Sequence, residues 1–272
     1  MSPGVCAVVL AAGEGRRLRP LTELRPKPLC PVGNVPLLDR LLSLLGALGY
    51  AGPASVAVNT SWLAEQVVAH VGDRAHLSVE PGGPLGTAGG LGRLRDWIDG
   101  RGVLVGNADA YLAGPPPALL DGWDGEVVRL LGVPTSPEDP ERFGAHRFAG
   151  FSLLPWSAVA RLRPEPSDLT RLVWRPAERA GRLEVVAYPG TYLDTGTPAR
   201  YLAANLHAAD DGDLVADGAR ITGRLERAVV GAGAVVHGTV TRSVVWPGGY
   251  VGPDEHLVDA IRVGRELTVP AA

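Results

Sequence analysis

Val5–Leu10 is a run of six residues, Val-Cys-Ala-Val-Val-Leu, without one polar side chain. A strand apolar on both faces has to be covered on both faces, which points to a parallel sheet sandwiched by helices. The next segments agree. Leu37 to Leu48 carries apolar residues at helical spacing, and Ala54 to Val58 is strand-like again. Ser61 is the expected N-cap of a helix through Trp62, Glu65, Val67 and His70. Leu77 to Val79 and Val103 to Val105 read as two more short strands. Such alternation predicts an α/β sandwich whose ligands bind beyond the C-terminal strand ends.

From about residue 213 the pattern changes. Val215 and Ile221 are six apart, as are Val230 and Val236. Val245, Val251, Leu257, Val263 and Val269 continue in steps of six. Small residues fall between them, as in Gly231-Ala232-Gly233-Ala234. Six residues per side is the period of a left-handed parallel β-helix. Two gaps of nine, after Ile221 and after Val236, predict bulged turns. The expected organisation is therefore 1–212 as one domain and 213–272 as a short β-helix of hexapeptide-like repeats. A few such coils are expected to stiffen the chain or to make a subunit contact in a homo-oligomer.

Composition excludes several classes. The chain has 272 residues, 46% of them hydrophobic and 20% charged, with a net charge of −3. That is a folded composition with no electrostatic footprint for nucleic acid. No apolar run reaches membrane-spanning length, and Met1 to Leu10 lack the features of a signal peptide, so a cytoplasmic protein is expected. Cys6 and Cys30 form neither a metal-type spacing nor a disulfide framework. Of 26 basic residues, 25 are Arg and one, Lys27, is Lys. A chain that uses Arg everywhere else draws attention to the one position where it keeps a compact ammonium.

Lys27 follows the segment Leu10-Ala11-Ala12-Gly13-Glu14-Gly15-Arg16-Arg17-Leu18-Arg19-Pro20-Leu21-Thr22, in the string Pro26-Lys27-Pro28-Leu29. Small residues let backbone N–H groups approach an anion, and Arg17 and Lys27 supply cations. Pro on either side restricts the backbone around Lys27. The loop fits neither a dinucleotide fingerprint nor a P-loop, because Leu18 stands where the third glycine belongs and Lys27 is misplaced. It resembles the signature of the sugar-1-phosphate nucleotidyltransferases, L-A-x-G-x-G-x-R-[LM]-x-P-L-T followed by P-K-P-L. The resemblance continues at Pro31-Val32, Pro36-Leu37-Leu38 and Val58-Asn59, and covers most of residues 5 to 206.

The resemblance implies a Rossmann-like nucleotidyltransferase domain with a mostly parallel sheet, followed by the β-helix. It also implies roles. Leu10, Ala11, Ala12, Gly13 and Gly15 would line the nucleoside and phosphates, and Arg17 and Lys27 would be catalytic, holding the triphosphate. Asp109 follows the strand Val103 to Val105, and Asp194 stands in Tyr192-Leu193-Asp194-Thr195-Gly196-Thr197. Both match family aspartates that bind Mg²⁺, a cation that prefers oxygen ligands. Pro84-Leu85-Gly86-Thr87-Ala88-Gly89 resembles the base-reading loop of mannose-1-phosphate guanylyltransferases, so Pro84, Gly86 and Thr87 are nucleotide candidates and GTP is favoured. Asn107 and Gly150, the latter in Phe148-Ala149-Gly150-Phe151, are the sugar-side candidates.

One departure stands out. Many members carry E-K-P before that last strand, with a Lys on the sugar phosphate. The stretch from Glu126 to Arg147 contains no Lys, leaving Arg129, Arg142, His146 and Arg147 as replacements. The expected reaction moves a nucleotidyl group from an NTP to a mannose-1-phosphate-like sugar 1-phosphate. The alternatives are uridylyl, thymidylyl or cytidylyl transfer to another sugar or cyclitol phosphate, or a silent subunit that senses a nucleotide sugar.

Overall fold

A computed structural model describes residues 4–271. Contacts divide them into two compact units. One comprises the chain up to Glu14, Arg40–Ala108 and Leu112–Tyr192; the other comprises Gly15–Asp39, Asp109–Tyr111 and the chain from Leu193 onward.

The first unit is built on a seven-stranded sheet. Its strands are β1 (Val5–Leu10), β2 (Val56–Thr60), β3 (His76–Val79), β4 (Gly102–Asn107), β5 (Val128–Pro134), β6 (His146–Leu154) and β7 (Leu183–Ala187). Their spatial order is β7-β5-β6-β4-β1-β2-β3. Only β6 runs against its neighbours; β1 pairs in parallel with both β2 and β4. The order reverses between β1 and β4, so the crevice such sheets offer to ligands opens beyond Leu10 and Asn107. Cys6, Val8, Val103, Val105 and Leu130 lie in one core with Leu91, Ile98 and Trp174. Complete burial of Cys6, Ala7, Val8 and Val9 explains the lack of polar residues in the middle of β1.

Helix α1 (Leu37–Ala47) begins where the hydrophobic spacing predicts. Ser61 does not cap the next helix. Helix α2 spans Ala64–Val71 and starts after Leu63, while the Ser61 hydroxyl donates 2.9 Å to the carbonyl of Glu80. The helix begins at Ala64, two residues past the point from which Ser61 could cap it. Helix α3 (Gly86–Arg93) opens from the glycine-rich segment after β3. No helix is long and apolar enough to cross a membrane among the described residues.

The second unit contains helix α4 (Pro198–Ala208) and the repeats. The repeats form a β-helix of three stacked parallel ladders. Leu214 pairs with Val229 and Val229 with Val244. Arg220, Val235 and Tyr250 form the second ladder; Arg224, Thr239 and His256 form the third. The first coils therefore advance fifteen residues, not eighteen. The two nine-residue gaps are not bulged turns but a short third side, whose inward residues are Leu225 and Val240. Sides of six, four and five residues make up the coil. The last coil is two residues longer, as Val244 pairs with Ile261, and its turn is tied by the Gly252 amide donating 2.6 Å to Glu255. Val263 and Val269 leave the series: Ala260–Val263 and Leu267–Pro270 form an antiparallel hairpin. The inward valines stack in a core of their own, each burial contributing about 1.5–3 kcal/mol.

Candidate functional site

The glycine loop crosses from one unit to the other between Glu14 and Gly15. Its first part continues β1. The Ala11 amide donates 2.7 Å to Asn59 Oδ1 at the end of β2. Asn59 Nδ2 donates 2.7 Å to Glu80 Oε1, and Glu80 Oε2 accepts 2.7 Å from the Leu85 amide. Asn59 and Glu80 are 1% and 2% exposed. They hold residue 11 and residue 85 to one buried scaffold, which makes each a positioning residue that the sequence reading did not single out. Asn59 was visible only as part of a matching string, and Glu80 only as the residue before a Gly-Pro run. Gly90 of α3 is needed there, since a Cβ would lie 2.5 Å from Asn59 Nδ2.

Other expected residues of this unit find mixed places. Ala11 and Ala12 are buried and Gly13 is exposed at the β1 end, beside half-buried Leu10. The Ala11 N–H is already spent on Asn59, so it offers no donor to an anion. Pro84 and Gly86 are exposed, but the Thr87 hydroxyl accepts from the Leu169 amide at 2.8 Å and is internal in role. Asn107 pairs with Leu10 at the β4 end. Gly150 is buried at φ +81° beside Leu112 and Tyr192.

The four candidates for the missing lysine separate clearly. Arg129 pairs with Glu184 at 2.8 Å and donates to the carbonyls of Leu119 and Asp121, so it is structural. Arg142 is exposed and donates 3.0 Å to the Gly144 carbonyl. His146 carries the backbone bridge to Phe143. Arg147 is half-buried on β6; its Nε is buried with no hydrogen-bond partner among the described residues.

The second unit collects Gly15, Arg17, Lys27, Asp109 and Asp194. Gly15 stands at φ +63°, and a Cβ there would lie 2.8 Å from Thr22 Cγ2 and 3.2 Å from Lys27 Cβ. Both its conformation and its neighbours demand glycine. The Thr22 hydroxyl closes the turn by donating 3.0 Å to the Gly15 carbonyl. Lys27 opens a short 3₁₀ turn, Lys27–Leu29. It is 5% exposed, with Nζ 3.5 Å from Asp109 Oδ2. Asp109 lies just past β4, and its carbonyl accepts 2.8 Å from the Thr195 hydroxyl. Asp194 accepts 2.8 Å from the Gly196 amide and pairs with Arg200 of α4. The Arg17 guanidinium lies against Gly196, where a Cβ would be 2.8 Å from Nη2.

Burial raises the affinity of the Asp194 carboxyl for a proton. The Lys27 charge, the Arg200 and Gly196 hydrogen bonds and the Arg200 charge outweigh it and hold the carboxyl below its ordinary value. Asp194 is thus anionic at neutral pH, the form that binds a cation. No cluster of three or more His, Cys, Asp or Glu side chains suited to a metal occurs among the described residues. A metal here would have the two carboxylates as its protein ligands, with phosphate and water oxygens for the rest, an oxygen set that suits Mg²⁺.

Comparison with known proteins identifies the family. The chain is 29% identical over 233 residues to an N-acetylmuramate alpha-1-phosphate uridylyltransferase of Neisseria meningitidis, covering 71% of this chain and 94% of that protein. It is 36% identical over 145 residues to a mannose-1-phosphate guanylyltransferase of Mycobacterium tuberculosis, covering 52% of this chain and 40% of that protein. Among solved structures, one described as a glucose-1-phosphate thymidylyltransferase of Bacillus anthracis superposes with a TM-score of 0.65 at 18% identity. It covers 76% of this chain and 96% of that one, and shows the shared fold. Residues 6–162 match the family model for nucleotidyl transferases. That match takes in more than half of the chain, and the chain belongs to the nucleotidyl transferase family.

Proposed function

We propose that the protein transfers a nucleotidyl group from a nucleoside triphosphate to a sugar 1-phosphate, releasing pyrophosphate. GTP is the favoured donor and a mannose-1-phosphate-like sugar the favoured acceptor. The observation that carries the reading is Lys27, the chain's only lysine, buried against the Gly15 turn and facing Asp109. A buried ammonium beside a glycine turn and two carboxylates suits a polyphosphate bridged to a divalent cation. The nucleoside role is assigned to Leu10, Ala11, Ala12, Gly13, Pro84, Gly86 and Thr87, with Ala11 and Thr87 acting through shape rather than through the groups they already use. Asn107 and Gly150 are assigned to the sugar, and Arg147 to the acceptor phosphate in place of the absent lysine.

An oxygen of the acceptor phosphate attacks the α-phosphorus. The bond from that phosphorus to the bridging oxygen breaks, and its electron pair leaves with pyrophosphate. The attacking oxygen is already anionic, so no general base is needed. Lys27 and Arg17 offset charge that gathers on the phosphoryl oxygens and on the leaving group. Asp109 and Asp194 would hold Mg²⁺, which supplies further charge neutralisation when bound. We assign the activity to the cytoplasm and any self-association to the β-helix.

GTP is supported by the Pro84–Gly89 string and by the guanylyltransferase relatives, such as one from Oryza sativa matched over 85% of this chain. The Neisseria relative, matched over nearly its whole length, supports UTP as the second reading. Pyrophosphate release measured for five NTPs against a panel of sugar 1-phosphates with Mg²⁺ decides between them. Turnover with GTP and mannose 1-phosphate is expected. Preference for UTP or dTTP overturns the donor assignment, and no release with any pair favours a silent, ligand-sensing subunit.

A further inference from the structure

The 3₁₀ turn that carries Lys27 is braced on one flank by Tyr201 of α4 and on the other by Trp246 of the β-helix, and these two side chains are hydrogen-bonded to each other. Downstream, the Tyr201 hydroxyl donates to the Pro31 carbonyl. The same hydroxyl accepts from Trp246 Nε1 at 3.0 Å. Upstream, the Arg25 guanidinium lies over the Trp246 ring, 5.0 Å from its centroid. Tyr201 is 0% and Trp246 2% exposed. The turn therefore has Arg25 on one flank and Pro31 on the other; the first meets the indole directly and the second through the Tyr201 hydroxyl.

The surroundings leave this brace little freedom. The Cys30 amide donates 3.0 Å to the Lys27 carbonyl, so Pro31 is joined to the turn by one residue. Asn205 of α4 takes the Gly33 amide at 3.0 Å, and Asn34 donates 3.1 Å to the Val230 carbonyl of the β-helix. Leu18, Leu21 and Cys30 share a core with Tyr201, Val229, Val244, Trp246 and Ile261. A buried hydroxyl with both its donor and its acceptor used has one favourable orientation.

We propose that Trp246 is a positioning residue for Lys27, acting through the Tyr201 hydroxyl on the Pro31 carbonyl. The β-helix is then part of the machinery that aims the ammonium, beyond any part in assembly. The kinetic consequence rests on the reading of Lys27 as the triphosphate's cation; the structural one does not.

The single lysine permits a direct test. Full-length protein grown with ¹³Cε-lysine gives one lysine side-chain resonance. Tyr201→Phe removes the hydroxyl and keeps both rings; Trp246→Phe removes the indole donor. Both are expected to shift and broaden the Lys27 resonance, while Val258→Ala, on the exposed side of a coil, leaves it in place. A shift in Trp246→Phe alone would reflect the lost ring current and overturns the proposal, as does an unmoved resonance in a folded Tyr201→Phe protein. If either variant fails to fold, Trp246→His, which keeps a ring N–H donor, and Trp246→Leu, which does not, decide the matter: a Lys27 resonance nearer its unaltered position in Trp246→His supports the brace, and equal displacement in both overturns it. In kinetics, Trp246→Phe should lower kcat about tenfold with the acceptor KM within twofold, and should add nothing in a Lys27→Ala background. Equal losses in both backgrounds overturn the proposal. Absence of turnover in the unaltered protein sinks the reaction assignment, with the resonance still judging the brace.

Discussion

The two parts of the glycine loop are held by different means. Up to Glu14, the anchor is a buried chain of hydrogen bonds from Ala11 through Asn59 and Glu80 to Leu85. Its members sit at neighbouring strand ends, and its one carboxylate is satisfied by N–H donors. From Gly15 on, the anchor is an ion cluster of Lys27, Asp109, Asp194 and Arg200, backed by an aromatic brace from residues 201 and 246. The first arrangement holds backbone; the second holds charge. Charge is costly to bury without partners and effective once partnered, which is why the second anchor draws residues from so many segments.

The sharpest way to break this contrast is to keep the charge and change its shape. Lys27→Arg should lower kcat by about 10²–10³-fold, because a planar guanidinium cannot take the place of a compact, buried ammonium that faces Asp109 at 3.5 Å. Asp109→Asn should be similarly severe while the protein remains folded. Pyrophosphate release with a circular-dichroism control checks both, and near-normal activity of either variant removes that residue from the machinery.

Truncation after residue 212 comes next. Loss of the repeats should disturb the turn that carries Lys27, because the β-helix supplies half the core beneath Leu18, Leu21 and Cys30. One cysteine reports on each region. Burial pushes the Cys6 thiol up to about 11 and the Cys30 thiol up to about 12, so iodoacetamide at pH 8 should modify neither in the intact protein. In the truncated chain Cys30 should react and Cys6 should stay protected, as read by peptide mass spectrometry. Equal protection of both would show that the signature turn stands without the coils.

Glu80→Gln tests the hydrogen-bonded anchor. An amide offers one acceptor oxygen where the carboxylate offers two, so either Asn59 or the Leu85 amide loses its partner. The expected cost is about 1–3 kcal/mol, seen as a lower Tm and a raised NTP KM with a smaller change in kcat. The smallest effect concerns acid stability. Because the folded Asp194 carboxyl lies below its ordinary 3.8, its contribution is present above that value and is lost as pH falls through the folded one. Urea midpoints should therefore fall less steeply below about pH 4 in Asp194→Asn than in the unaltered protein. Parallel curves would mean that the cluster does not stabilise the carboxylate.

Much of this was legible in the chain. Continuous apolar residues in Val5–Leu10 pointed to a buried parallel strand, and the family-like strings singled out Lys27, Asp109 and Asp194, which the fold gathers in one unit. The repeat was legible as a β-helix but miscounted, because Leu225 and Val240 sit on a short side that a period of six passes over. Glu80 and Trp246 were invisible for a different reason: each is one residue whose role consists of whom it meets. Periodicity and motif are properties of neighbours along the chain, so the sequence by itself determined the sheet, the coils and the charged residues. Which N–H groups remained for a ligand, and what holds Lys27 still, were decided only by tertiary structure, since a buried polar group takes its function from the partners that folding brings to it.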